Sequence, residues 1–166
     1  MDRGIFMLSV GSKIFVPSYG AGIVKTVEFR KVYDTIYKFV DVTMMIDNIS
    51  LSIPVSRIEA YRVREIIKKE KLIECLDIIS MENDIIEKKW TKRYRQNNDK
   101  ISGGDFEKEC EVLRDLYYLK KKGIMPPGEQ KILDKAEALV ASETMLVLDI
   151  TLEEAYERIR SLGLKY

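Results

Sequence analysis

The stretch Ile36-Tyr37-Lys38-Phe39-Val40-Asp41-Val42-Thr43-Met44-Met45-Ile46 has a period of two. Its even positions Ile36, Val40, Val42, Met44 and Ile46 form an apolar face broken only by Lys38, the pattern of a strand with one side on a core. After Asp47-Asn48, a pair suited to a tight turn, the alternation resumes in Ile49, Leu51 and Ile53, with Ser50 and Ser52 on the other side. Upstream, Ile14 and Val16 make a short strand that stops at Pro17-Ser18-Tyr19-Gly20. From Ala21 to Val32 a longer strand places Ile23, Val27 and Phe29 on one face and Thr26, Glu28 and Arg30 on the other. Short strands linked by turns over so few residues imply a small, strongly bent sheet or barrel.

Beyond Pro54 the period becomes that of a helix. Val63, Ile66 and Ile67, then Leu72, Leu76 and Ile79, recur at i, i+3, i+4 spacing. Phe106, Cys110, Leu113 and Leu119 mark another amphipathic helix, with Asp105 placed to cap its start and Gly123 near its end. Pro127 suits the first position of the next, and Thr151-Leu152-Glu153-Glu154 fits a capping box that opens the last. The expected fold is α+β in two abutting domains, a small β module over residues 1–60 and an all-α bundle of four or five helices over 61–166.

The 166 residues contain no histidine, which excludes Ser-His, Cys-His and His-zinc chemistry outright. Glu107 with Glu111, and Glu153 with Glu154, read as solvated helix surface; no catalytic residue, metal site or cofactor is expected. Glu143 is different, because it falls beside the apolar face of its helix and requires an intramolecular partner, Arg64 or Arg114. Cys75 and Cys110 lie at apolar positions without metal-ligand spacing and are expected as buried, reduced thiols. Gly20-Ala21-Gly22 precedes a strand, so it reads as turn chemistry and not as a dinucleotide fingerprint. The apolar run from Met1 to Val10 lacks the features of a signal peptide, and no run is long enough to cross a bilayer. A cytoplasmic protein is the expectation.

Net charge is +1, yet one window departs from balance. Lys88-Lys89-Trp90-Thr91-Lys92-Arg93-Tyr94-Arg95 has five basic residues in eight, no acidic one, and the only Trp of the chain. Two readings stand: a solvated helix whose aromatics anchor the core, or a nucleic-acid contact in which cations neutralise phosphates and a flat aromatic stacks on a base or wedges a base step. If the segment is helical, Lys88, Lys92 and Arg95 share one stripe, Lys89 and Arg93 the neighbouring one, and Trp90 and Tyr94 are i, i+4 neighbours.

The chain resembles the CarD/CdnL family of bacterial transcription regulators. The start Leu8-Ser9-Val10-Gly11 through Gly20-Ala21-Gly22-Ile23-Val24 carries the likeness, with Pro54-Val55, Val63-Arg64-Glu65-Ile66-Ile67, Trp90-Thr91-Lys92-Arg93-Tyr94, Ser102-Gly103-Gly104-Asp105, Val112-Leu113-Arg114-Asp115-Leu116 and Gly128-Glu129 following in order. The resemblance implies a Tudor-like β domain that docks on the β subunit of RNA polymerase, and a helical domain that binds promoter DNA at the upstream edge of the transcription bubble. It implies that Trp90 is a minor-groove wedge stabilising the open complex, with Lys92 and Arg95 as the DNA-facing basic positions beside it; Lys89 and Arg93 join them as DNA-binding candidates from the basic window itself. Arg30, with Glu28 and Ser52 on the same surface, would contact polymerase, and the chain would act as a cytoplasmic monomer, nucleoid-associated through polymerase. Ser52 stands where some relatives carry Arg, and Tyr19 where they often carry His. The alternative from another class is an RNA-binding or ribosome-associated module.

Overall fold

A computed structural model describes residues 8–164; most of the Met1–Val10 run, residues 1–7, lies outside the described residues. The chain opens with β1 (Lys13–Val16), β2 (Gly20–Val32), β3 (Thr35–Met44), β4 (Ser50–Pro54) and β5 (Arg64–Glu65). Among the described residues five α-helices follow: α1 (Lys69–Ile78), α2 (Trp90–Ser102), α3 (Phe106–Lys121), α4 (Gln130–Leu148) and α5 (Leu152–Gly163). The sheet is antiparallel in the order β4-β3-β2-β1-β5, so the architecture is α+β, strands first and helices after.

Turn chemistry explains the strand connections. Asp47 and Asn48 both have positive φ, which their short polar side chains tolerate better than most residues do. Gly20 also has positive φ, and a Cβ there would come within 2.8 Å of Ile46 and Ser142, so the position requires glycine twice over. Helix starts follow the expected caps: the Asp105 carboxylate accepts from the amides of Glu107 and Lys108, and Thr151 Oγ1 accepts from Glu154 N at 3.1 Å.

Three expectations need correction. A bulge between Val24 and Thr26 shifts the register of β2 against β3. Ile23 therefore packs on the helical core while Val24 and Val27 serve the sheet core, and Phe29 lies beyond either, exposed. Val40, Val42 and Met44 are fully buried as the alternation requires, but Ile36 sits out on the β2–β3 ribbon and is exposed. The third correction concerns Val63 to Ile67, which do not open a helix. Glu65 pairs with Ile14 and Arg64 with Phe15, and α1 starts only at Lys69. The paired residues are Arg64 and Glu65, neither of them a strong strand former, so the free edge of β1 decides the local structure, with the β-branched Val63, Ile66 and Ile67 flanking the strand.

The sheet core gathers Ile14, Val24, Val40, Val42, Met44 and Ile53; the helical core takes in Leu72, Leu113, Leu116, Leu133 and Leu139 together with Phe15 and Ala21 from the strands. Helix α4 makes the junction. Ser142 Oγ accepts from Ala21 N at 2.9 Å, and the fully buried Glu143 takes both arms of the Arg64 guanidinium at 2.7 and 2.8 Å and the amide of Ile67 at 2.8 Å. Of the two partners expected for Glu143, Arg64 is the one. The β5 strand lies beyond residue 60 and hydrogen-bonds back to β1. Cys75 and Cys110 are buried and free.

Candidate nucleic-acid and protein interface

Helix α2 begins where its own sequence disfavours a start. Lys88 and Lys89 precede it and its first turn holds no acidic residue, although the positive end of a helix dipole calls for one. Neighbouring carboxylates make up the deficit. Glu87 accepts from Lys89 N at 3.1 Å and pairs with Lys92 Nζ at 3.3 Å; that backbone bond first, and Lys92 second, hold its carboxyl below the ordinary range. Arg93 then locks the turn. Its Nε and one terminal nitrogen donate to the two oxygens of Glu129 at 2.6 and 2.5 Å, and the other terminal nitrogen donates to the Glu87 carbonyl at 2.8 Å.

The consequence is an inside-out helix. The stripe that faces the protein is Arg93, Asn97 and Ile101, while Trp90 and Tyr94 point outward, 55% and 40% exposed. A large indole ordinarily buries itself, so the core-anchor reading of the basic window fails. Lys88, Lys89, Lys92 and Arg95 are exposed around the two rings. Arg93 is not among them: at 7% exposure and engaged with Glu129, it is corrected from a surface contact to an internal anchor. Lys88 and Lys89 also lie ahead of the helix, so the continuous stripe from Lys88 to Arg95 is replaced by an extended pair followed by Lys92 and Arg95 on the helix. No signal in the window itself marks Arg93 as the inward member. Glu129, its partner, lies 36 residues away beyond α3.

A second cluster lies on the polar face of the sheet. Arg30, Glu28 and Ser52 come together as expected, around a residue the sequence reading missed, Asp41. The Asp41 carboxylate accepts from Ser52 Oγ at 2.5 Å, from Thr26 Oγ1 at 2.8 Å and from Arg30; Arg30 Nε also donates to Glu28 at 2.9 Å. The Arg30 guanidinium lies 5.2 Å from the Phe39 ring centroid. Arg30 first, then the hydroxyls of Ser52 and Thr26, draw the Asp41 carboxyl down to about 2. The signal that could have found Asp41 is register, since it pairs with Thr26 on β2 and Ser52 on β4. Glu107 and Glu111 form no shared site: Glu107 pairs with Lys71 and Glu111 with Lys100, each on a different helix from its partner.

A bent sheet with a preorganised arginine cluster is joined to a helical unit that displays an aromatic pair among cations. Residues 74–160, which include α2 and its Trp90, match the family model described as CarD, C-terminal domain. The chain belongs to the CarD family of transcription regulators. It is also similar to YdeB of Bacillus subtilis (strain 168), a protein named as a candidate transcription factor, with 29% identity over 157 residues that cover 95% of this chain and all of the relative. Among the described residues no helix is long and apolar enough to cross a membrane.

Proposed function

We propose that this chain docks on the β subunit of RNA polymerase through the Arg30, Glu28 and Ser52 surface and stabilises the promoter open complex by setting Trp90 as a wedge at the upstream edge of the bubble. In this reading residues 1–60 are the polymerase-interacting unit and 61–166 the DNA-binding unit, and a monomer acts in the cytoplasm without cofactor or chemical step. Lys89, Lys92 and Arg95 neutralise phosphates beside the wedge and read no base. Arg93 supports them from behind.

The observation that carries the reading is the half-exposed Trp90 on a turn locked by a buried ion pair. The mechanism is differential binding: a wedge that fits an unstacked, widened minor-groove step favours open over closed DNA by its difference in affinity for the two. One stacked or wedged aromatic is worth about 1 to 2 kcal/mol, or roughly five- to thirtyfold in the open/closed ratio. Docking on polymerase makes weak intrinsic DNA affinity sufficient by raising the effective concentration.

Permanganate reactivity of unpaired thymines on a weak promoter tests this. The wild-type chain is expected to raise the open fraction, and Trp90→Ala to lose most of that gain while still co-purifying with polymerase. An equal gain with the variant contradicts the wedge, and co-purification with ribosomes in place of polymerase favours the RNA-binding alternative.

A further inference from the structure

The surface beside Trp90 carries positive charge that α2 does not supply. A groove of about 1240 Å³ runs between the 80–89 segment and the C-terminal end of α3, bordered by Trp90 and Lys88 on one side and by Lys121 and Lys122 on the other. Its walls are Ile86, Leu119 and Tyr118, the last half-exposed with Lys122 Nζ 5.7 Å from its ring centroid. Asn83 fixes the segment to α3 by donating to Asp115 at 2.9 Å, so the groove exists before anything enters it. Among the described residues Lys88, Lys121 and Lys122 have no carboxylate partner; of the lining carboxylates, Glu87 is paired with Lys92, which leaves Glu82 and Asp84 against three unpaired ammonium groups.

We propose that this groove is a binding site for one strand of DNA, the unpaired strand that begins at the step wedged by Trp90, with its phosphates on Lys121, Lys122 and Lys88 and a base against Tyr118. The inference rests on the reading of Trp90 as a wedge and extends it. A wedge seated at the upstream edge of the bubble stands where paired DNA ends and a single strand begins. A groove that starts at the wedge, has an aromatic wall and is bordered by free cations has the chemistry of a sequence-independent single-strand site. Small-molecule pockets are enclosed clefts of about 300 to 1,000 Å³, whereas this one is larger and open. Lysines also suit the end of a helix for its dipole. The dipole accounts for their place on α3 but not for the groove they share with Trp90.

Fluorescence anisotropy with the full chain at low salt tests the proposal, using a blunt duplex and the same duplex with a short unpaired DNA extension. The wild type is expected to bind the forked DNA about tenfold tighter, the size of one stacked base. The exposed double variant K121Q/K122Q, shown by circular dichroism to be folded, is expected to lose that preference and keep blunt-duplex binding. The slope of log affinity against log salt on the fork should fall by about 1.4, at about 0.7 for each single-strand phosphate. If K121Q/K122Q keeps the wild-type affinity and slope on the fork while Trp90→Ala loses the preference, the groove proposal is overturned and the wedge stands. If the wild type itself does not separate fork from duplex, both fall. Equal or tighter binding of an extension made of RNA overturns the assignment to DNA.

Discussion

Asp41 and Glu109 are both carboxylates, and their surroundings drive them in opposite directions. Asp41 is held down to about 2 by the Arg30 guanidinium and two hydroxyls, so what it adds to stability is present in full above its unfolded value near 4 and is lost progressively as pH falls from there through about 2. The Arg30 cluster therefore persists through mild acid, and docking through it should not weaken between pH 7 and pH 5. Arg30→Glu sets a third carboxylate beside Glu28 and Asp41. It is expected to cut binding to an isolated β-subunit lobe at least about tenfold, or ~1.4 kcal/mol, with an unchanged circular dichroism spectrum; retained binding in a pull-down would move the interface elsewhere. Glu109 is fully buried without a hydrogen-bond partner, and burial above all, then the neighbouring Glu143, pushes its carboxyl well up. An acid raised in the fold contributes stability below its unfolded value and loses it as pH rises toward the folded one, by at most about 1.4 kcal/mol per pH unit. Glu109→Gln is thus expected to gain melting temperature relative to wild type on going from pH 4.5 to pH 8. A constant difference across that range would contradict the assignment.

At the scale of elements, α2 depends on contacts outside itself. Its start has no side-chain cap of its own and two lysines against the dipole, so the Arg93–Glu129 pair and the Glu87 carboxylate position it. Arg93→Ala leaves the Glu129 charge buried and unpaired and should cost about 3 to 5 kcal/mol in chemical denaturation. Removing both charges in Arg93→Met/Glu129→Met should cost much less, because no unpaired charge remains; equal losses would show that the pair is not the anchor. The same dependence on distant contacts explains which elements were legible in sequence. Helices α3 and α5 carry their own caps, and β3 and β4 their own alternation, so each was readable locally. Strand β5 was not, since Val63, Ile66 and Ile67 fit a helical spacing equally well and only the free edge of β1 decides between the two. The β2 bulge has no local signature either, and it sends Ile23 and Val27 to different cores.

For the whole molecule, the two surfaces are tied together by α4, through Ser142 to β2 and through Glu143 to Arg64. A net charge of +1 limits what the chain can do to DNA unaided. Four exposed cations stand around the aromatics of α2, at about 0.9 each in the salt slope on duplex DNA. The isolated chain should therefore bind a blunt duplex weakly, with log affinity falling against log salt no more steeply than about 4. Nanomolar binding at physiological salt would mean autonomous, charge-driven contact. The aromatic-basic window was legible in sequence because its composition is local and unusual. Its division into exposed Trp90 and internal Arg93 was not, because Glu129 arrives from the far end of α3, and Asp41 escaped notice because its role comes from two neighbouring strands. The central claim concerns the lifetime of an opened promoter. It is measured most directly as the dissociation rate of preformed open complexes after competitor challenge, with wild type and Trp90→Ala present at concentrations that saturate polymerase equally. The wild type is predicted to lengthen that lifetime roughly five- to thirtyfold over Trp90→Ala, the worth of about 1 to 2 kcal/mol; identical lifetimes would contradict the wedge.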